Sequence, residues 1–577
     1  MGKRSSAVHI ARVVRKYKDR QYVSFLLRRS YREAGKVRHE TLANLSALPA
    51  QAIADLRASL AGRRLVDAEE AFQVTRSLPH GHVAAVWAMA RKLGFPALLG
   101  PAGPQRDLAM ALIIARVCRP GSKLATTRWW QDTTLAVDLG VADASTDQVD
   151  AAMDWLGDRQ EGIQRRLARR HLEPGGLVYY DLSSSWVEGR CCPLAARGYS
   201  RDGKRGLAQI EYGLLTDPQG RPVAVEVFAG NTGDPATVPG TVARIRDRFG
   251  IGRLVMVGDR GLLTSARVEA LRELGGVGWI TTLRAPAIAA LADAGVVQPS
   301  LFDQTNLAEV AHPDDPGERL VVCRNPLLGA ERARKRAELL AATQAELDKV
   351  VAAVQAGRLA DPATIGVKVG RVLGRFKMAK HFTLDIADRH FAYTPNQPAI
   401  DTEAALDGIY VVRTSMAARE LGAAEVVEAY KRLALVERDF RSLKTVDLEL
   451  RPIHHHLEQR VRAHVLVCML AAYLVWHLRQ AWAPLTFTDQ TPPPRSDPVA
   501  PARRSPAATR KAATQQTADR TPAHSFHTLL EHLATLSRDD ITFAGPTPTA
   551  IQKLTTPTPT QRKAFQLIHT VIPPTLA

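Results

Sequence analysis

Five apolar runs between residues 176 and 283 constrain this chain more than any other feature in it. They are GLVYYD (176–181), LAQIEYGLLTD (207–217), PVAVEVFAG (222–230), RLVMVGDRG (253–261) and GWITTL (278–283). Each is short and bounded by glycine, proline or polar residues, which is the pattern of strands buried in a sheet. PQGR joins the second and third runs as a hairpin turn. Helices are expected from Pro235 to Phe249 and over TSARVEALREL, so strands and helices interleave. That order predicts an α/β fold, a mixed sheet flanked by helices.

Two of the runs end in an acid, Asp181 and Asp259, each expected at the C-terminal end of its strand. Asp and Ser favour turns, and Asp181 is followed by Ser183, Ser184 and Ser185, so a turn-making role is one reading. The other is chemical. In a mixed sheet two such strand ends can be neighbours, and unpaired carboxylates there repel and raise each other's pKa. Divalent cations relieve that repulsion; Mg²⁺ takes oxygen ligands and leaves positions open for phosphates. Two metals about 3.5–4 Å apart can activate water and stabilise the leaving oxygen of a phosphodiester. Such a site needs a further carboxylate, and Glu437 in AYKRLALVERDFRSLK is the candidate. Leu433, Val436 and Phe440 share its broad helix face, which predicts a position near the buried side. The alternative is a surface Glu beside Arg438 and Arg441.

The rest of the chain divides by pattern. Residues 1–78 are strongly basic, with two strands expected around the turn EAGK and a short helix after them. Residues 79–172 space apolar residues at three and four, a helical region whose basic faces suit DNA or plain solvation. The core pattern, 173–283, is interrupted at 284–428, where HFTLDIADRHFAYTP and DGIYVVRTS are expected as strands of a separate unit beside a long charged helix. Helical periodicity returns over 429–486. Residues 487–577 are read as a disordered linker, from their Pro, Ala, Thr and Arg content, and a short tail.

A net charge of +19 on 577 residues points to a polyanion, nucleic acid first. Five cysteines without a C-x-x-C pair argue for a reducing compartment and against zinc. The N-terminus carries no secretory signal, and HVLVCMLAAYLVWHL (464–478) is too short to span a bilayer, so a soluble, cytoplasmic protein with a buried helix is expected.

YYDLSSSWVEG, GYSRDGKRGLAQIEYGLLTDPQGRPVAVEVFAGNTGD, VMVGDRG and YKRLALVERDFRSLK together resemble the DDE transposases of bacterial insertion sequences that carry a β-rich insertion before the third acid. The resemblance spans roughly residues 10 to 480. It implies an RNase H-like core interrupted by the insertion, behind a helical N-terminal DNA-binding region. It implies Asp181, Asp259 and Glu437 as catalytic, metal-binding acids holding two Mg²⁺ or Mn²⁺ ions. In the family's tyrosine–arginine–glutamate–lysine block, Tyr430 and Lys444 keep their places as phosphate grips, but Leu433 stands where arginine is expected. Arg432 or Arg441 would take that part. The implied partners are double-stranded DNA, both terminal inverted repeats and target, and a second copy of the chain to form a synaptic dimer in the bacterial nucleoid. Water would cut the element's end, and the freed 3′-hydroxyl would attack target DNA, a cut-and-paste reaction. Rival readings are an RNase H-like nuclease without strand transfer and an inactive DNA-binding repressor.

Some relatives stack a flipped base on a tryptophan of the insertion, but no Trp follows Trp279 there; Phe382, Phe391, Tyr393 and Tyr410 are the aromatic alternatives. The run His454–His456 reads as a phosphate contact or solvated face, since consecutive helical residues diverge. Arg201, Lys204 and Arg205 sit in a glycine-bounded loop that suits a solvated turn or a DNA contact equally, and Asp234 reads as a helix cap.

Overall fold

The computed structural model describes residues 7–33, 35–63, 71–204, 206–495, 497–543 and 549–576. The chain forms two compact units, residues 1–77 with 538–555, and residues 78–537 with 556–577.

In the first unit, β1 (Ala7–Tyr17), β2 (Arg20–Glu33) and β3 (Lys36–Asn44) make an antiparallel meander, followed by a helix, Ala50–Leu60. β4 (Phe72–Pro79) completes this unit's share of the N-terminal sequence. The second unit opens with helices, among them Gly81–Lys92, Pro104–Cys118, Lys123–Gln131, Thr146–Gly157 and Gln160–His171. Ser145 and Gln148 close a capping box on the fourth of these, as STDQ predicts.

The central sheet follows. β5 (Leu177–Trp186), β6 (Gln209–Thr216) and β7 (Pro222–Ala229) are antiparallel neighbours, while β8 (Leu254–Val257) and β9 (Val277–Thr282) run parallel to β5. All eight residues of β6 are buried, in keeping with its largely apolar run. Gly213 is required there: a Cβ would lie 2.1 Å from the Tyr180 hydroxyl packed across it.

The interruption departs from expectation. β10 (Leu307–Ala311), β11 (Arg319–Arg324) and a later strand, β14 (Ile409–Thr414), extend this same sheet, whose order is β10-β11-β14-β9-β8-β5-β6-β7. Thus DGIYVVRTS is not part of a separate unit. Its strand pairs antiparallel with β9 and covers an edge that would otherwise be exposed. Only β12 (Phe382–Ala387) and β13 (His390–Pro395) stand apart, as a hairpin packed with helices Pro326–Gln355 and Pro362–Phe376 around a small core of their own. Phe382, Phe391 and Tyr393 belong to that core, with ring centroids 5.7 and 6.1 Å apart.

The C-terminal half of the core is helical, Ala423–Lys431, Leu433–Arg441, a π-helical turn Ser442–Val446, and Glu458–Ala481. The last of these is long and apolar enough to cross a membrane, but its most apolar window is 83% buried within the protein. Residues 487–577, expected to be largely unstructured, carry helices Pro506–Thr514, Phe526–Ala534 and Pro559–Leu567 together with β15 (Ser537–Phe543) and β16 (Thr549–Leu554), which form a sheet with β4. Composition misleads here because long-range bonds order the segment: Lys431 Nζ donates to the carbonyl of Val499 at 2.8 Å, and Lys511 Nζ to that of Thr486 at 2.7 Å. All five cysteines are free thiols.

Candidate active site

Asp181 was expected to end its strand. Instead β5 runs on to Trp186, and Asp181 marks where one of its neighbours stops. β8 pairs with β5 through Leu177↔Val255, Val178↔Met256 and Tyr179↔Val257; beyond Tyr179 the strand that pairs with β5 is β6. The same offset carried two residues further sets Asp259 level with Asp181, in the gap that opens where β8 ends. Asp259 begins a turn there, its Oδ1 accepting the backbone N–H groups of Gly261 at 2.9 Å and Leu262 at 2.7 Å.

Asp181 is half-buried, and burial pushes its carboxyl up to about 7. The Leu182 backbone N–H, donating at 2.8 Å, opposes this rise; Asp259 adds to it, Arg201 opposes it and Glu437 adds to it. Three acids from a strand, a turn and a helix therefore act on one another electrostatically. No three His, Cys, Asp or Glu side chains among the described residues converge tightly enough to hold a metal ion. The acids influence one another at electrostatic rather than coordination range, and two of them, Asp259 and Glu437, are exposed. In donor chemistry the set fits a hard divalent cation: every donor atom is a carboxylate oxygen, and Asp181, the most buried of the acids, has its pKa raised by burial and by the other two.

Glu437 is exposed, not on the buried face. Leu433, Val436 and Phe440 are buried as expected, but the acid that joins them is Asp439, whose Oδ2 has no hydrogen-bond partner and whose carboxyl burial pushes up to about 7. The helical stretch is also broken at Arg432, between Ala423–Lys431 and Leu433–Arg441.

Of the four expected phosphate grips, Tyr430 lies beside the acids. Its hydroxyl is 3.1 Å from Thr282 Oγ1, and burial raises its pKa, with further contributions from Asp259 and Glu437. Arg432 and Arg441 are exposed; Arg432 Nη2 is 4.0 Å from Glu428. Lys444 is different. It is buried in the π-helical turn and donates to Asp202 Oδ1 at 2.8 Å, so its charge is turned inward. Asp202 also pairs with Arg451, whose guanidinium lies over the Trp186 ring, 4.9 Å from its centroid.

Sequence reasoning left Arg201 as a solvated turn or a DNA contact and passed over Asp202. The loop they share is latched rather than solvated: the Arg201 backbone N–H donates to Ser184 Oγ at 3.2 Å, and the Asp202 side chain is 3% exposed. An acid set in an otherwise basic loop was the available signal. Arg205 lies outside the described residues, as does the side chain of Asp234, which is the first residue of its helix. His454 and His456 are exposed and His455 is half-buried, and no metal cluster forms on them among the described residues.

Comparison with known proteins adds three findings. The family model for the transposase DDE domain matches residues 185–474, a span that contains Asp259 and Glu437 and begins four residues after Asp181. The model for the N-terminal domain of IS1634-family transposases matches residues 10–72. Among solved structures, the cryo-EM structure of a piggyBac transposase synaptic complex with hairpin DNA is similar over 79% of this chain and 76% of that one, at 8% identity and a TM-score of 0.33. No curated protein matches the chain.

Proposed function

Because this chain belongs to the family of transposases with a DDE domain, we propose that Asp181, Asp259 and Glu437 are the acids with which it cuts and joins DNA. The chain is a DNA transposase, an enzyme of DNA cleavage and strand transfer. What carries the residue assignment is electrostatic: of all the groups around Asp181, the two acids that raise its pKa are Asp259 and Glu437. The strand order β7-β6-β5-β8-β9, antiparallel on one side of β5 and parallel on the other, supports an RNase H-like core.

Asp181, Asp259 and Glu437 would hold divalent cations, Mg²⁺ or Mn²⁺. The chemistry a pair of such ions supplies is activation of water and stabilisation of the leaving 3′ oxygen. The chain's own residues orient the DNA around that point. Tyr430, fixed by Thr282, offers a hydroxyl beside the acids; Arg432 and Arg441 offer exposed guanidinium groups on flanking helix turns; Arg201 brings positive charge to Asp181. Phosphoryl transfer depends on such positioning and charge stabilisation more than on a side-chain base. Lys444 would act from behind, through Asp202, rather than by gripping phosphate directly.

Recognition of the terminal inverted repeats falls to the N-terminal unit, where Arg12, Arg15, Lys16, Lys36 and Arg38 are exposed on the meander, and to the helical region after it. Cut-and-paste transposition through a synaptic homodimer would place one chain on each end. The test is cleavage of a labelled duplex bearing the element's terminal repeat, with Mg²⁺ and purified protein. Nicking at the repeat's end, lost in Asp181→Asn and Asp259→Ala, followed by joined products on adding target DNA, is the expected outcome. Full cleavage by either variant would sink the assignment.

A further inference from the structure

A cavity of about 310 Å³ lies between the helix Pro104–Cys118, the start of the helix Lys123–Gln131 and the segment 449–467. Its floor includes Arg116, Met153, His464 and Val467, all buried, and its rim includes Ser122 and His454, both exposed. None of these residues belongs to the acid site, and the consecutive histidines of the sequence find their setting here.

The cations around this cavity outnumber the acids paired with them. Asp150 serves both Lys123, at 2.6 Å, and Arg460, at 2.8 Å, the latter also 3.3 Å from Asp154; Asp202 serves both Lys444 and Arg451. Arg116 is 8% exposed, and its guanidinium donates only to a neutral group, the carbonyl of Leu448 at 3.3 Å; no carboxylate pairs with it among the described residues. Arg451 Nε is buried with no hydrogen-bond partner. Glu449 also lines the cavity, but its side chain is exposed and makes no ion pair with Arg116. Buried cations without a counter-charge are unfavourable unless something anionic arrives. The histidines cannot supply negative charge; His464 donates its Nε2 hydrogen to the carbonyl of Leu450 at 3.0 Å. The helix starting at Lys123 also directs the positive end of its dipole toward the opening.

We propose that this cavity is a phosphate site for the DNA the transposase handles, one backbone phosphate entering it against Arg116 with Lys123 and Arg451 at its sides. Arg451 connects it to the chemistry, since the same guanidinium lies over Trp186, five residues along β5 from Asp181. At about 3.3 Å per residue this is on the order of 17 Å, so the phosphate held here is several nucleotides from the scissile bond.

The test uses full-length protein and a terminal-repeat duplex, with affinity measured against salt for the wild type, Arg116→Met and Arg116→Lys. Each phosphate contact contributes about 0.9 to the slope of log K against log salt. Arg116→Met should lower that slope by about one unit while leaving the DNA-free Tm unchanged or higher, because it removes a buried unpaired charge; Arg116→Lys should keep the slope. An unchanged slope in Arg116→Met overturns the proposal, and so does equal loss of slope in both variants, which would mean that shape and not charge matters. Inorganic phosphate provides the last arm. If it raises the wild-type Tm while Arg116→Met binds DNA with the wild-type slope, the cavity serves free phosphate and the DNA assignment fails.

Discussion

Asp202 accepts from Lys444 and pairs with Arg451, and its neighbour Arg201 faces Asp181. The carboxylate thus ties the loop that brings charge to the first acid to the turn that follows the helix of the third. Asp202→Asn keeps the shape and removes the charge, leaving two mostly buried cations without a partner. Losing one member of a buried pair costs roughly 3 kcal/mol or more, so the Tm should fall measurably. Single-turnover cleavage at saturating DNA should fall at least about tenfold, a loss on the scale seen when groups that orient catalytic ligands are removed. Wild-type cleavage in a folded Asp202→Asn protein would show that Lys444 and Arg201 need no such anchor. At this scale the sequence was legible in part. Asp181 and Asp259 stood out because each follows an apolar run. Asp202 did not, because its burial depends on residues more than two hundred positions away.

At the scale of elements, the insertion's strands are pinned by a charge network. Glu318, before β11, accepts from Arg413 of β14 at 2.7 Å and lies 3.1 Å from Arg272 of the helix Ser265–Leu274; its side chain is fully buried. Glu318→Ala would leave Arg413, which is 9% exposed, with Asp315 at 3.2 Å as its remaining carboxylate, at a cost of up to about 3 kcal/mol. Hydrogen exchange should then quicken in β10, β11 and β14 ahead of β5 and β6; equal protection in all five strands would refute the pinning. Strand and helix runs with local periodicity were readable in advance. Two features were not: the joining of β14 to β9, because strand pairing is non-local, and the helix break at Arg432, because no proline or glycine announces it.

For the whole molecule, several buried and half-buried histidines set an acid limit. Burial pulls His82 down to about 3 and His171, His455 and His477 to about 4, all below the ordinary 6.5. A lowered folded-state pKa means that the unfolded chain takes up protons first. Stability is therefore fully present above about pH 6.5 and drains as pH falls toward 4. Tm measured between pH 7.5 and 4.5 should be flat in the upper part and fall below about 6.5, and His82→Phe should flatten part of the fall. A Tm that rises on acidification would contradict the burial of these rings. The tail shows the limit of composition at this scale: a Pro- and Ala-rich stretch looked unstructured until the lysines that hold its carbonyls were seen. One last consequence concerns β9 and β14. They lie side by side, Thr282 opposite Val412 and Ile280 opposite Thr414, so everything between them departs and returns at neighbouring points. Topologically the excursion is an oversized hairpin loop. Within that excursion β11 stays paired with β14 as part of the central sheet, while the β12–β13 hairpin and its two helices close a core of their own, so it is that inner module that sits at a natural graft point.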